Sequence, residues 1–432
     1  MMWHSLGLAA SFDVVEGESI QAVLDAASDG DVINVGPGLY VEQLSFQGKD
    51  LVLRSSEGPE RTVLDGDDLW DTSVVSFTSG EPLSATLQGF TIQNGHGQPY
   101  LWDVGRGWVG AGVLVKSSAA TILDCVFVDN NSRHSGQSLG AGLAAVNSEV
   151  VLRDNVFRDN LGFWGGGGVG LIGSRASIEG NLFQDNLGTR GAGLIVLQDS
   201  VADLVDNTFE GNRAGHGGHL FVKDSVLTSS QDRFLSGSAW RNGGAVVVQD
   251  ATATFSEATF EDNRAEHDGG HLWVAWSGGA AVLGSRMAGG EASAGAVAFV
   301  REAALSLHGV LLESPLAEAI WAWQADLQLF NLTVLEPAAP LARAEGGQAS
   351  LLNLLVQGGS GPLLEGLQWA SSLGWQVQGG LPEGALEADP LLVDGVLQPG
   401  SPAIDAGSSL FDDLDGSPAD IGATGGGSPW SP

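Results

Sequence analysis

The fold of this chain is decided by the heptapeptide Asp154-Asn155-Val156-Phe157-Arg158-Asp159-Asn160, which recurs along the sequence. It returns at residues 180–186 as GNLFQDN, at 206–212 as DNTFEGN and, more loosely, at 257–263 as EATFEDN. Its phenylalanine belongs to a series at positions 127, 157, 183, 209, 234 and 260, so successive steps are 30, 26, 26, 25 and 26 residues. A period this steady predicts a solenoid, in which each repeat packs on its neighbours.

The segment after each motif indicates the kind of solenoid. A glycine-rich turn is followed by a short apolar run, as in residues 193–196 (GLIV) and 245–248 (AVVV). These runs are β-rich, and no window has a helical periodicity long enough for a helix in every unit. A unit of about 22 to 26 residues with three short strands fits one coil of a parallel β-helix, whose coils stack at about 4.8 Å. We therefore predict an all-β solenoid of about a dozen coils.

Stacked coils place equivalent residues above one another, and two such positions are rich in asparagine. The position two before the phenylalanine reads Cys125, Asn155, Asn181, Asn207 and Asp232, and the position three after it reads Asn130, Asn160, Asn186, Asn212, Gly237 and Asn263. Stacked amides hydrogen-bond along the stack and satisfy polar groups that are costly to bury. The sequence predicts two asparagine ladders, with Cys125 as a buried member rather than a reactive thiol.

The composition restricts the partners of the chain. Its 432 residues contain 18 Lys+Arg and 52 Asp+Glu, which gives a formal net charge of -34. Such a surface repels nucleic acid, anionic membranes and polyuronates. No stretch approaches the roughly 20 apolar residues of a membrane-spanning helix, and the single cysteine excludes an intramolecular disulfide framework. We expect a monomer that neither binds nucleic acid nor inserts into a membrane.

Both ends of the chain resemble a known group of proteins. Residues 19–27 predict a short amphipathic helix capped by Ser19, followed by residues 30–33 (GDVI), 37–42 (PGLYVE), 63–66 (VLDG) and 89–95 (GFTIQNG). The C-terminal part contains residues 400–407 (GSPAIDAG) and 420–423 (DIGA). Together these segments resemble bacterial right-handed parallel β-helix repeat proteins of the pectin-lyase-like superfamily. The resemblance implies a right-handed β-helix but no single activity, because the group includes lyases, hydrolases, esterases and adhesins.

The predicted solenoid occupies most of the chain. We assign residues 1–12 to a leader remnant, 13–80 to an N-terminal cap with the first coils, 81–376 to the β-helix repeats and 377–432 to a C-terminal closing segment. After residue 276 the asparagine ladder fades, and the phenylalanine position passes to Met287, Leu311, Val334 and Val356. No linker separates a second domain, so we predict one continuous structural domain.

The repeats contain no legible catalytic centre. A polysaccharide lyase needs acidic ligands for Ca²⁺ and a basic side chain beside the sugar carboxylate. The aspartates fall in turn positions, where Asp forms Asx turns. Four arginines lie near them without a clustered pattern: Arg153, Arg158, Arg175 and Arg190. We favour a protein that is not an enzyme and leave a polysaccharide lyase open, with groove walls from residues 95–108 and 131–139.

Seven residues are weak candidates for a metal site. They are His216, His219, His267, Asp268, His271, Asp413 and Asp415. His219 and His271 occupy equivalent positions two coils apart, about 9.6 Å, which is too far to share one Zn²⁺ at about 2 Å from each. The acidic C-terminal segment lacks the bidentate glutamate of an EF-hand. We predict no cofactor and leave Ca²⁺ open.

One outward-facing row is unusually apolar. Its positions read Leu114, Ala144, Gly170, Ile195, Phe221, Val247, Trp273, Ala298 and Trp321, and the next outward position contributes Trp323. Bare apolar patches mark binding surfaces, and aromatic rows suit sugar rings. The candidate partner-binding residues are therefore Phe221, Trp273, Trp321 and Trp323. The alternative is that a loop or the C-terminal segment covers the row.

These features favour an extracellular or cell-surface β-helix scaffold, not catalytic, that binds a glycan or a protein partner. The first eleven residues hint at a signal peptide, although they lack Lys or Arg and a long apolar core. The second hypothesis is a carbohydrate-active enzyme of the pectate-lyase-like type, either a polysaccharide lyase or a glycoside hydrolase. The two hypotheses differ in one structural feature. The enzyme requires a groove in which acidic groups and a basic side chain converge, and the scaffold does not.

Overall fold

The computed structural model describes residues 9–67, 71–102, 105–132, 137–315, 317–358, 364–365, 368–375, 386–393, 396–406 and 420–422. Contacts divide the chain into two compact units, residues 1–203 and 204–432. Each unit is a parallel β-solenoid, and the chain makes about 12 coils in all. The expected all-β solenoid is confirmed, whereas the predicted domain boundaries stay a prediction. In the described part of the chain, no helix is long and apolar enough to cross a membrane.

The described residues of the first half of the chain form one helix and twenty-five strands, in the following order. They are β1 (Ser11–Val14), α1 (Ile20–Ala26), β2 (Val32–Val35), β3 (Gly38–Tyr40), β4 (Leu44–Ser45), β5 (Val52–Ser55), β6 (Thr62–Asp65), β7 (Val75–Phe77), β8 (Thr86–Gln88), β9 (Thr91–Gln93), β10 (Gln98–Trp102), β11 (Gly105–Val109), β12 (Val113–Lys116), β13 (Ala119–Leu123), β14 (Val126–Val128), β15 (Gln137–Leu139), β16 (Leu143–Val146), β17 (Glu149–Arg153), β18 (Val156–Arg158), β19 (Leu161–Gly162), β20 (Val169–Ile172), β21 (Arg175–Glu179), β22 (Leu182–Gln184), β23 (Leu187–Gly188), β24 (Leu194–Leu197) and β25 (Val201–Val205).

The second half continues with strands alone among its described residues. They are β26 (Thr208–Glu210), β27 (Arg213–His216), β28 (Leu220–Lys223), β29 (Val226–Ser230), β30 (Arg233–Leu235), β31 (Ser238–Asn242), β32 (Val246–Gln249), β33 (Thr252–Ser256), β34 (Thr259–Glu261), β35 (Arg264–Ala265), β36 (Leu272–Ala275), β37 (Gly279–Leu283), β38 (Arg286–Ala288), β39 (Ala298–Arg301), β40 (Ala304–His308), β41 (Leu311–Glu313), β42 (Ile320–Trp323), β43 (Asp326–Leu335), β44 (Ala342–Glu345), β45 (Ala349–Gln357), β46 (Leu364–Glu365), β47 (Gln368–Trp375), β48 (Leu386–Glu387), β49 (Leu392–Val393) and β50 (Val396–Leu397).

Three parallel rows of strands form the wall of the first unit. One row is β4, β7, β12, β16, β20 and β24; a second is β1, β2, β5, β8, β13, β17 and β21; a third is β3, β6, β9, β14, β18 and β22. The side chains alternate between the interior and the outside along each strand, as a pleated strand requires. Every coil therefore contributes residues from three sides to one continuous core.

The second unit repeats this plan with its own strands. Its rows are β28, β32, β36, β39, β42, β44 and β46; β29, β33, β37, β40, β43, β45 and β47; and β26, β30, β34, β38 and β41. The long strands β43 and β45 serve two rows at once, because each bends at an asparagine with positive φ, Asn331 in β43 and Asn353 in β45.

The phenylalanine series is an interior stack in both units, as predicted. The ring centroids of Phe127 and Phe157 are 4.5 Å apart, and those of Phe234 and Phe260 are 4.8 Å apart. All of these rings are fully buried. After Phe260 the strand register continues through Met287, Leu312, Val334 and Val356.

The predicted place of Leu311 in that series is wrong by one residue. Leu311 pairs with Arg286 on the outward side of the strand, whereas Leu312 is buried beside Met287. The sequence offers two leucines in succession, so hydrophobicity alone does not choose between them.

Both predicted asparagine ladders are present in the first unit. Asn155 donates from its backbone N and its Nδ2 to Oδ1 of Asn181, at 2.9 and 3.0 Å. Asn160 donates in the same way to Oδ1 of Asn186, at 3.1 and 3.0 Å. The backbone N of Cys125 donates to Oδ1 of Asn155 at 2.9 Å, and burial raises the pKa of the Cys125 thiol to about 12. Cys125 is thus a buried ladder residue with a protonated thiol, as expected.

A third ladder, made of serine, was not predicted. The backbone N of Ser148 donates to Oγ of Ser174 at 3.1 Å, and the backbone N of Ser174 donates to Oγ of Ser200 at 3.0 Å. Its signal in the sequence is a serine spaced like the phenylalanines, at 118, 148, 174, 200 and 225. We overlooked it because serine is common in turns for other reasons.

Described residues near each end of the chain pack against the strands of their own unit. The N-cap Ser19 accepts a hydrogen bond at 3.1 Å from the backbone N of Ala22, and α1 buries Ile20 and Leu24. Near the other end, Ala403 and Ile421 form a buried cluster with Leu355. The capping helix is therefore confirmed, whereas the closing segment at residues 377–432 stays a prediction.

Candidate functional site

The apolar row of the second unit ends in a partly exposed aromatic surface. By strand register the row is Phe221, Val247, Trp273, Phe299, Trp321 and Arg343. The predicted member Ala298 is wrong, because Ala298 pairs with Leu272 and Phe299 pairs with Trp273. The neighbouring row on the same strands contains Ala275, Arg301, Trp323 and Glu345.

Most of this row is covered by the turn that precedes each strand. A glycine with positive φ stands four residues before the row residue, at Gly217, Gly243, Gly269 and Gly295. A Cβ on Gly269 would lie 2.1 Å from the carbonyl oxygen of Leu272 and 3.1 Å from Cβ of Trp273, so the turn lies directly against the row.

The burial of the row follows from this cover. Phe221 is 3% exposed, and Trp273 and Phe299 are each 8% exposed. The expectation of a bare row is therefore wrong at Phe221 and Trp273, and the alternative in which a loop covers the row is confirmed there.

The cover ends before Trp321. Ala317 stands four residues before Trp321, and Ala339, whose φ is not positive, stands four residues before Arg343. Because the covering turn uses the left-handed conformation that glycine adopts readily, alanine at these positions disfavours it. Trp321 and Trp323 are partly exposed as a result.

We call Trp321, Trp323, Arg301 and Arg343 the C-terminal aromatic face. The guanidinium of Arg301 lies 4.9 Å from the ring centre of Trp323, and that of Arg343 lies 5.7 Å from the ring centre of Trp321. The ring of Phe299 meets that of Trp321 edge-on at 5.3 Å. The face combines flat apolar rings with hydrogen-bond donors, which is the chemistry of a recognition surface.

Each arginine of the face also binds a glutamate. Arg301 pairs with Glu302 at 3.5 Å and Arg343 with Glu345 at 2.5 Å, and all four side chains are exposed. Two positive and two negative groups make the face locally neutral on a chain whose net charge is -34.

Unsatisfied donors also single out this row. Four buried side-chain polar atoms lack a partner among the described residues, and two of them are the indole N–H groups of Trp273 and Trp321. A buried donor without an acceptor costs about 1–3 kcal/mol, and each such group in a native protein requires an explanation.

In the first unit the equivalent row is covered from solvent. Leu114, Ala144 and Ile195 are buried, and glycines with positive φ again stand four residues ahead, at Gly110, Gly140, Gly166 and Gly191. A Cβ on the row residue Gly170 would lie 2.5 Å from Cδ2 of Leu139, so that leucine fills the gap.

His219 replaces a missing asparagine in a ladder of the second unit. Gly237 occupies the ladder position, and a Cβ there would lie 2.4 Å from Nε2 of His219. The ring fills this space: its Nδ1 accepts from Nδ2 of Asn212 at 3.0 Å, and its Nε2 donates to Oδ1 of Asn263 at 3.1 Å. His271 accepts from Nδ2 of Asn263 at 3.1 Å. Burial lowers the pKa of both imidazoles to about 3, so both are neutral structural groups.

The other metal candidates do not assemble. In the part of the chain that the structure describes, no three His, Cys, Asp or Glu side chains come together around a point. His267 is exposed, and burial raises the pKa of Asp268 while His267 opposes this rise. His216 is partly exposed on β27. Asp413 and Asp415 lie outside the described residues.

Asp232 occupies an asparagine position in the other ladder. Its Oδ1 accepts from the backbone N and Nδ2 of Asn207 at 2.6 and 2.9 Å, and its Oδ2 accepts from Oγ of Ser229 at 2.6 Å. Burial raises the pKa of this carboxyl to about 6. Ser229 takes a buried position in β29 whose neighbour in the next coil is Phe255, so a polar pair replaces an apolar core contact.

Acidic groups and an arginine converge in one groove of the second unit, with a volume of about 640 Å³. Arg286 lies between Glu261 and Glu313 at 3.2 and 2.5 Å, and Asp262 and Glu336 line the same groove. Because two carboxylates hold the guanidinium, it is bound as a charged ion and is not poised to accept a proton.

The four arginines considered for a lyase site, all in the first unit, do not come together. Arg153 pairs with Glu179 at 2.9 Å, and Arg158 pairs with Asp159 at 3.0 Å. Arg190 lies 4.8 Å from the ring centre of Trp164, and burial lowers the pKa of Arg190. Arg175 lines a different groove on the first unit.

The two long loops of the first unit pair with each other. β10 and β11 form an antiparallel hairpin, and β11 pairs with β15 in parallel. Nε1 of Trp108 donates to Oδ1 of Asp71 at 2.9 Å, which ties this small sheet to the preceding coil. The loops expected to wall an active site thus form a sheet, and the groove around Arg286 is lined by residues 262–392 instead.

Comparison with known proteins agrees with this architecture. Residues 78–286 match the family described as right handed beta helix region. The sequence has no significant match among curated proteins. The expected resemblance to right-handed β-helix proteins is confirmed over these residues.

Three solved structures illustrate the structural similarity. The Siphovirus 9NA tailspike receptor binding domain is 12% identical, with 90% of this chain and 78% of that chain covered and a TM-score of 0.34. The catalytic domain of a GH87 alpha-1,3-glucanase in complex with tetrasaccharides is 11% identical, with 83% and 66% covered and a TM-score of 0.35. The pectate lyase Pel9A is 12% identical, with 97% and 96% covered and a TM-score of 0.32. Similarity at this level of identity concerns the fold.

Proposed function

The chain is a right-handed parallel β-helix, and on that premise we propose that it is a scaffold, not an enzyme, that binds a glycan through the C-terminal aromatic face. We further propose that it acts outside the cell or at the cell surface. The observation that carries the proposal is the replacement of the turn glycine by Ala317 before Trp321, where two partly exposed indole rings lie beside two arginines.

The geometry of the face suits a sugar chain. Trp321 and Trp323 lie two residues apart on one face of β42, so their side chains start about 7 Å from each other. Aromatic rings stack on the apolar faces of sugar rings, and the guanidinium groups of Arg301 and Arg343 supply donors for hydroxyl groups. Rigid strands hold all four residues, so little conformational entropy is lost on binding.

One observation supports the second candidate, a carbohydrate-active enzyme. The groove around Arg286 contains the carboxylates of Asp262, Glu313 and Glu336. We favour binding, because Glu261 and Glu313 both hold the guanidinium that a lyase would need as its base.

A polysaccharide panel tests the proposal. Wild type should bind at least one soluble polysaccharide in affinity electrophoresis, and the double variant Trp321→Ala/Trp323→Ala should lose at least about tenfold in affinity, the effect of removing stacking contacts. Trp240→Ala is the matched control, because Trp240 is a 41% exposed tryptophan of the same unit outside the face. Equal binding by wild type and the double variant would remove the face from consideration. Release of unsaturated oligosaccharides that Arg286→Ala abolishes would favour the enzyme.

A further inference from the structure

We infer that the ligand of the C-terminal aromatic face is an uncharged glycan. This inference rests on the proposed function and narrows it to one class of polysaccharide. It comes from the way in which the two arginines of the face are neutralised.

The arginines are not available to an anionic sugar. Arg301 is held by Glu302, which follows it in the chain, and Arg343 is held by Glu345, two residues further along the same strand. A glutamate tethered this closely has a high effective concentration beside its arginine. The carboxylate of a uronic acid would have to displace it from a surface pair that is already satisfied.

The net negative charge of the whole chain also disfavours binding of an anionic sugar. A net charge of -34 raises the energy of any anion that approaches, whereas a neutral sugar is not affected. The two arginines of the face and their paired glutamates, Glu302 and Glu345, sum to zero. A polyuronate would therefore meet general repulsion without any local positive site to offset it.

The remaining chemistry of the face matches hydroxyl groups. Each guanidinium has five N–H donors, and one glutamate occupies only part of them. The exposed guanidinium groups can also donate to sugar hydroxyls while each charge stays paired with its glutamate. Phe299, Trp321 and Trp323 supply the apolar contact, which does not depend on charge.

The test uses three pairs of polysaccharides that share a backbone and differ in charge. They are homogalacturonan with methyl-esterified or free carboxyl groups, hydroxyethyl or carboxymethyl cellulose, and dextran or carboxymethyl dextran. We expect wild type to bind an uncharged member more tightly than its charged counterpart. The affinity should change by less than about twofold between about 0.05 and 0.5 M NaCl, because no ion pair forms with the ligand.

A charge variant sharpens this test. Glu302→Gln/Glu345→Gln should improve binding of the charged counterpart by roughly threefold per glutamate at low salt, while binding of the uncharged member changes little. Glu257→Gln/Glu266→Gln is the matched control, since it removes two exposed negative charges of the same unit outside the face and outside the groove around Arg286.

The outcomes separate the two proposals. Tighter, salt-sensitive binding of a charged member that still requires Trp321 and Trp323 would overturn the present inference and leave the proposed function standing. If no polysaccharide binds, or if binding persists in Trp321→Ala/Trp323→Ala, the proposed function fails and this inference fails with it.

Discussion

Trp273 and Trp321 belong to the same row of the second unit, two coils apart, but their surroundings differ. Trp273 is 8% exposed beneath a turn that begins at Gly269, whereas Trp321 follows Ala317 and is partly exposed next to Trp323. The strands are paired in the same register at both places. The comparison shows that the turn before a strand, and not the strand itself, decides whether an outward row is a surface.

The largest expected effect on stability comes from removing the covered indole ring of Trp273. Trp273→Ala should lower the free energy of unfolding by about 3–5 kcal/mol, because it leaves a cavity under the turn. Trp323→Ala should cost about 1 kcal/mol, because solvent already reaches that ring. Urea denaturation of both variants, followed by circular dichroism, measures the difference. Equal losses would mean that the two rings are covered alike.

The next effect concerns the turn. Gly269→Ala should cost about 2–4 kcal/mol, because a side chain there combines a left-handed conformation with a clash against the carbonyl of Leu272. Ala317→Gly, at the equivalent position of the open coil, should cost about 1 kcal/mol or less. Melting temperatures of the pair provide the measurement. A harmless Gly269→Ala would show that this turn does not hold the row closed.

A smaller effect concerns Asp232, a buried residue whose carboxyl changes the stability of the interior with pH and does not contact the C-terminal aromatic face. The folded-state pKa of Asp232 is about 6, above the ordinary value of 3.8, so its contribution to stability is fully present below about pH 4 and is lost as the pH rises past 6. Asp232→Asn should therefore raise the free energy of unfolding by about 1–3 kcal/mol at pH 8 and change it little at pH 4. The buried, neutral His219 and His271 affect wild type and variant equally at each pH.

Two results would count against this account of Asp232. A gain from Asp232→Asn that is the same at both pH values would show that the carboxyl does not titrate in this range. A change in glycan affinity would show that the ladder and the face are coupled.

The sequence was sufficient to predict the interior. Phe157, Asn155 and Asn160 recur at nearly constant spacing, and stacked coils require like residues at like positions, so periodicity alone predicts the core and the ladders. The errors at Leu311 and Ala298 were shifts of one residue. Both lie in apolar runs, where neighbouring residues suit the inside and the outside equally well.

The candidate site could not be predicted from the periodicity of the sequence alone. Whether a row is covered depends on the φ angle of a glycine four residues away, and Gly269 resembles the many other turn glycines of the sequence. The repeat pattern does not predict Arg301 and Arg343, because no arginine occupies the equivalent position in the neighbouring coil. The role of His219 depends on the absence of a side chain at Gly237, which is eighteen residues further along the chain.

The central claim is that the row is closed at Trp273 and open at Trp321 and Trp323, where a glycan binds. Hydroxyl-radical footprinting with mass spectrometry tests it most directly, with and without the polysaccharide that the panel identifies. The account predicts that Trp321 and Trp323 are oxidised faster than Trp273, and that the glycan slows oxidation at these two rings but not at the exposed Trp240. Oxidation of Trp273 at the rate of Trp323, or equal protection of Trp240, would contradict it.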